Sequence, residues 1–288
     1  MDSLPRLIAL HPVEVFLVFA LVAVTTAVSV WLLLRRLREP LWNVLRTTWQ
    51  RATGRWVPLS RLRTPAAWQG GPLLLDLLLG FVVVLAAVAL FFGIADEIGL
   101  DEGLGRFDVA LAAELSRALS RQTLTFFATV THLGDAIVQW GLGVVVALVL
   151  IVRGRRLLAA SWLVAVAGNG VMNRVLKALF ERTRPLHEHG LTLEHGWSFP
   201  SGHTSGAVVI YGMLAYLGMR AAPPAWHLPI TLSALLVVLL VGYSRIVLQV
   251  HYLSDVLAAL VSGGTWLMVC ITAARVVRVH QEYRPGAA

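Results

Sequence analysis

The sequence predicts an all-α fold, a polytopic bundle of membrane-spanning helices, on three observations. Of its 288 residues 57% are hydrophobic and only 14% charged, against about 25% charged in soluble domains. Its mean hydropathy is +0.73, so most of the chain has lipid as its solvent. Apolar runs near the length of about 20 residues that crosses a bilayer recur along it, and the connections between them differ sharply in charge. Disorder, collagen and a soluble globule are excluded. The single cysteine, Cys270, excludes an intrachain disulfide and reads as a small buried hydrophobe.

Seven runs follow in order: Val13 to Leu34, Leu73 to Ala95, Ala136 to Val152, Leu157 to Phe180, Thr204 to Met219, Leu228 to Leu248 and Tyr252 to Ala274. The first is longer than a signal-peptide core of about 7–15 residues and is followed by Arg35, Arg36 and Arg38, so it is expected to remain as a span. After it, Trp42, Leu45, Trp49, Ala52 and Trp56 recur at spacings of three and four, with Arg46, Arg51 and Arg55 on the flanks. That pattern predicts an amphipathic helix lying in the membrane interface. The fourth run carries Asn169, Asn173 and Lys177 on one helical face, a pattern suited to hydrogen bonding between helices.

Arginine and lysine in short connections set orientation. Eight arginines fall between Arg35 and Gly71, and Arg153, Arg155, Arg156, Arg275, Arg278 and Arg284 join the same side of a seven-span alternation. The connection from Asp96 to Leu133, rich in Asp and Glu, falls on the other. The expected arrangement is an amino terminus outside and a carboxyl terminus in the cytoplasm, in a bacterial cytoplasmic membrane. The net charge of +8 then belongs to cytoplasmic arginines near anionic headgroups, with no nucleic-acid partner.

Ionisable groups close to membrane depth are costly and mark functional sites. Three clusters of them fall at the extracytoplasmic ends of the spans. Lys177 and Arg184, before Pro185, supply a point charge and a planar fork for a tetrahedral anion, with the residue before proline turned away from the helix. Ser201 reads as a helix N-cap that leaves Gly202 and His203 in a first turn of free N–H groups. Arg245 adds a third cation. His251 and Asp255, four apart, are expected to meet on one helical face. A carboxylate on one ring nitrogen leaves the other lone pair free, which suits His251 as nucleophile and Asp255 as its orienter. His203 remains to protonate a leaving group.

These residues read Lys, six residues, Arg-Pro; Pro-Ser-Gly-His; and Ser-Arg, five residues, His, three residues, Asp. At them the sequence resembles the type 2 phosphatidic acid phosphatase superfamily. The resemblance implies a membrane lipid phosphatase that works without a metal or other cofactor through a phosphohistidine. It implies His251 as nucleophile, His203 as acid, Asp255 as orienter, and Lys177, Arg184, Ser201, Gly202 and Arg245 holding phosphate. The expected architecture is a six-helix phosphatase core over residues 73–276, preceded by an extra span and basic amphipathic segment over 1–72 and followed by a cytoplasmic tail over 277–288. The expected partners are the bilayer and a phosphorylated lipid, such as a phospholipid or a polyprenyl diphosphate. Transfer of the phosphoryl group to another lipid or glycan is the alternative within the class, and transport of anionic lipids the alternative outside it. The charges sit at span ends on one side, without paired broken helices at the centre, which speaks against a transporter. His187, Glu188, His189, Glu194 and His195 between the first two clusters read as a wet loop at the site entrance in preference to metal ligands, and His132 reads as structural.

Overall fold

The computed structural model describes residues 3–54, 71–99, 101–186, 191–192 and 194–282, and no strand occurs among them. Helix α1 (Ser3–Leu10) leads into α2 (Pro12–Gly54), followed by α3 (Gly71–Asp96), α4 (Gly103–Ala118) and α5 (Arg121–Thr131). The bundle continues with α6 (Ala136–Val152), α7 (Arg156–Phe180), α8 (Gly202–Ala221), α9 (His227–Val247) and α10 (Leu253–Glu282).

Among the described residues five stretches are long and apolar enough to cross a membrane: Pro12–Leu33, Arg121–Val152, Arg156–Phe180, Pro224–Val247 and Leu253–Arg278. Gly80–Asp96 is a shorter apolar helix. The remaining expected span is α8, whose residues Thr204 to Ile210 are all buried. It packs against α6, α7, α9 and α10, so helices rather than lipid surround it and its polar first turn is sheltered. Small residues let the helices approach: a Cβ on Gly212 would come 2.3 Å from Leu267. On the outside, Leu17, Phe81 and Val152 are among many exposed large apolar side chains, a surface that suits lipid and would aggregate in water.

One expectation about the first half is corrected, and three helices that the sequence reading does not foresee are added. The first span and the amphipathic segment form one helix, α2, which continues through Pro40 to Gly54. The helical part of that expectation stands through Gly54, whereas Arg55 and Trp56 of the stripe lie outside the described residues. The acidic connection after α3 is folded into α4 and α5, which carry their own apolar stripe of Leu111, Leu115, Leu124 and Phe127. A further short helix, α1, packs on α4, and Tyr243 of α9 donates a hydrogen bond to the Pro12 carbonyl at 2.7 Å. The amino-terminal segment is thus joined to the bundle at the end where the three clusters meet.

Candidate active site

The helix bearing Lys177 stops at Phe180 because Glu181 takes a left-handed conformation at φ 43°. It therefore ends four residues ahead of Arg184, earlier than the proline alone requires. The chain from Glu181 to Pro200 returns over the bundle end and brings the first cluster onto the third.

His251 lies in the turn before α10 rather than on that helix, which begins at Leu253. Its contact with Asp255 comes from helix capping: Asp255 accepts the Tyr252 N–H at 2.9 Å, the reach of a third-position carboxylate back to the N-cap. Asp255 Oδ2 then stands 3.3 Å from His251 Nδ1 and accepts the Ser198 hydroxyl. On the other side of the ring, Arg184 Nη1 lies 3.1 Å from Nε2. A guanidinium only donates, so Nε2 presents its lone pair and Nδ1 carries the proton toward Asp255. Burial pushes the His251 pKa down to about 3, which keeps the ring neutral.

Asp255 is itself held from beneath. Arg182 donates to Asp255 at 2.7 Å, to Asp108 at 2.8 Å and to the Ser254 hydroxyl at 2.6 Å. Its guanidinium carbon stacks 4.3 Å from the centre of the Tyr252 ring. Asp108, from α4, also accepts from the Ser254 backbone N–H at 3.2 Å. Two buried carboxylates thus share one guanidinium, an arrangement in which removing the cation leaves charge uncompensated.

The cations and the second histidine face a cavity of about 370 Å³ lined by Lys177, Arg184, Glu194, Gly202, His203 and His251, among others. Lys177 donates to the Trp197 carbonyl, and Arg184 donates to those of Gly196 at 3.0 Å and Val250 at 2.7 Å. His203 Nε2 stands 3.0 Å from Asp135, whose other oxygen is 2.7 Å from His132 Nδ1. Arg245 is buried, donates to Thr131 at 2.7 Å and pairs with Glu194. Glu194 lies 3.8 Å from Arg184 and 3.7 Å from His203 as well. Burial alone would raise the pKa of Glu194, but Arg245, His203 and Arg184 outweigh it and hold the carboxyl below its ordinary value.

The structure thus brings Lys177, Arg184, Gly202, His203 and His251 to one cavity, with Asp255 behind His251 and Arg245 reaching it through Glu194. Ser201 is the N-cap that the sequence predicts. Its hydroxyl is buried and caps α8, accepting from Thr204, while its backbone N–H donates to the Asp255 carbonyl at 3.1 Å. Gly202 lets α8 approach α7, since a Cβ there would stand 3.2 Å from Asn173 Oδ1. Asn169 and Asn173 both reach Ser205, bonding the two helices. Of the loop considered for a metal, His187, Glu188 and His189 lie outside the described residues, Glu194 is paired with arginines, and His195 lines the cavity.

Asp108, Asp135, Arg182 and Ser198 escape sequence reasoning. For Asp108 a signal exists: with Gly105, Leu111 and Leu115 it forms the buried stripe of α4, and a carboxylate in an apolar stripe asks for a partner. Asp135 and Glu194, outside the three motifs, add two carboxylates beside His203 and Arg245.

Residues 158–278 match the PAP2 superfamily. Phosphatidylglycerophosphatase B of Bacillus subtilis strain 168 is 36% identical over 101 residues, 32% of this chain and 46% of that protein. The match therefore spans less than half of the relative's length. The fold is that of a crystallised transmembrane PAP2-type phosphatidylglycerolphosphate phosphatase from Bacillus subtilis, with a TM-score of 0.62 and 22% identity over 70% of this chain and 98% of that one. A crystal structure of Aquifex aeolicus LpxE aligns more loosely, at a TM-score of 0.45 and 24% identity over 59% of this chain and 96% of that one.

Proposed function

We propose that this chain, whose residues 158–278 belong to the PAP2 superfamily, is an integral-membrane phosphatase that removes a terminal phosphate from a lipid. The observation that carries the reading is the placement of His251, with Nδ1 3.3 Å from Asp255, Nε2 3.1 Å from Arg184, and the ring lining a cavity that also holds Lys177. Nε2 attacks the phosphorus and a phosphohistidine forms as the P–O bond to the leaving group breaks. His203 gives its proton to that oxygen. Water then attacks the phosphohistidine, His203 takes a proton from it, and inorganic phosphate leaves with Nε2 restored. Lys177 and Arg184 hold the equatorial oxygens, where a loose transition state gathers charge. No divalent metal is required, because cations already fixed around the phosphate supply its charge. The amino-terminal helices and basic segments support a site on the extracytoplasmic face of a bacterial cytoplasmic membrane.

The test is phosphate release from a panel of phosphorylated lipids in detergent, before and after EDTA, with trapping of labelled enzyme. The expected result is release that survives chelation and an acid-labile, base-stable label that vanishes with turnover in His251→Ala. Label that persists in His251→Ala overturns the nucleophile; activity lost on chelation and restored by Zn²⁺ or Mg²⁺ overturns the metal-free mechanism.

A further inference from the structure

The cavity at His251 adjoins a second one of about 340 Å³ between α6, α7 and α8, and Gly202 and His203 line both. Part of its lining is apolar, with Trp140 and Val171 among its exposed side chains. It is also lined by three carboxamides, Gln139 of α6 and Asn169 and Asn173 of α7. All three turn their NH2 groups to the protein. Gln139 donates to the Gly134 carbonyl at 2.8 Å, and Asn173 to the Pro200 carbonyl at 3.5 Å. A carbonyl only accepts, which fixes the O and N of both side chains. Ser205 donates to the Gly202 carbonyl at 3.4 Å and accepts from the NH2 groups of Asn169 and Asn173. The three side-chain oxygens are left over. None accepts a hydrogen bond among the described residues, and that of Asn169 is buried. Arg174, which lines the same cavity, donates to none of them.

A buried acceptor without a donor is costly, and three acceptors around one cavity suit a ligand that brings donors of its own. Asn173 lies one turn and Asn169 two turns before Lys177 on the same face of α7, roughly 6 and 12 Å along the axis. That is the depth at which a lipid held by its phosphate at His251 places the linkage to its chains. We propose that the second cavity binds this linkage, and that the preferred substrates carry hydroxyl or amide N–H donors there. A lipid joined to its phosphate through ester groups alone offers no donor to the three oxygens. The carboxamides then select the lipid, while Lys177 and Arg184 hold the phosphate. The inference rests on the lipid-phosphatase reading of the first cavity and names the substrate class for it.

The test compares N-oleoyl ceramide 1-phosphate with dioleoyl phosphatidic acid, both phosphomonoesters, on the full-length protein in detergent. The first carries a hydroxyl and an amide N–H beside its phosphate, the second two esters. The quantity read is the ratio of initial-rate kcat/KM on the first lipid to that on the second. The ratio should exceed one in wild type, and Asn169→Leu and Gln139→Met should each lower it roughly three- to tenfold, the scale of one hydrogen bond. Methylating both donors of the ceramide phosphate leaves the protein untouched. It should cost wild type a similar factor and Asn169→Leu much less, the coupling expected of a direct contact. A wild-type ratio of one or less, a ratio unchanged in both variants, methylation without effect, or equal losses on both lipids each overturn the proposal. In all four cases wild type still releases phosphate and the phosphatase reading stands. Absence of phosphate release from either lipid by wild type overturns that reading and this one with it.

Discussion

His251 and Asp255 are closed off, with 1% and 0% of their side chains exposed, whereas His203, at the cavity wall, and its partner Asp135 are 17% and 30% exposed. The buried carboxylate is held by Arg182, Ser198 and the Tyr252 N–H besides its histidine. The exposed one has His132 as its second partner, on the turn between α5 and α6. The difference follows from the two jobs proposed. A nucleophile has to meet phosphorus along one line, and small misplacements cost large factors in rate. A proton donor has to be reloaded between half-reactions, which a partly wet mount permits.

Exchanging each carboxylate for its amide is the sharpest way to break this comparison. Asp255→Asn should lower kcat by roughly 10⁴, the loss seen when a triad carboxylate becomes an amide and the tautomer is lost. Asp135→Asn should cost about 10–100-fold, within the contribution of general acid catalysis, and the loss should shrink for substrates whose leaving group needs no proton. Steady-state kinetics on both variants decides it. A larger loss for Asp135→Asn would reverse the assignment of nucleophile and acid.

A smaller loss is expected at Arg182, which touches Asp255 but is not among the residues lining the cavity. Arg182→Gln should lower kcat about tenfold with little change in KM, because the substrate never meets this residue and only the aim of Asp255 is lost. It should also lower stability, since removing one member of a buried ionic cluster costs about 3–5 kcal/mol. A loss confined to KM would place Arg182 in substrate binding and remove its positioning role.

The uneven legibility of the two pairs has the same origin. His251 and Asp255 are four residues apart, so their contact can be read from spacing even though capping, not a helical face, produces it. His203 and Asp135 are 68 apart, and Arg182 and Asp108 are 74 apart; no local periodicity announces such pairs. Span edges show the same division. The apolar runs Leu157 to Phe180 and Leu228 to Leu248 fall within one residue of α7 and α9, because lipid imposes composition along a whole helix. The turns that hold α4, α5 and Asp135 obey contacts made far along the chain, so the sequence shows them only as a charged connection.

The smallest expected effect concerns the exposed side of the comparison, where Glu194 lies among Arg245, Arg184 and His203. Its carboxylate occupies the charge environment that a substrate phosphate needs, so the two compete for the same cations. Because those cations hold its pKa below 4.5, the competing charge is present throughout the neutral range and is lost only in acid. Glu194→Gln should therefore lower KM by up to about fivefold, the scale of a partly exposed ion pair, with kcat nearly unchanged. The ratio of wild-type to variant KM should stay constant through the neutral range and approach one only in acid, below the ordinary carboxylate range, as protonation makes the wild-type side chain neutral too. Michaelis profiles across that pH range test both statements. A KM that rises in Glu194→Gln would mean that the carboxylate contacts the lipid headgroup instead of competing with its phosphate.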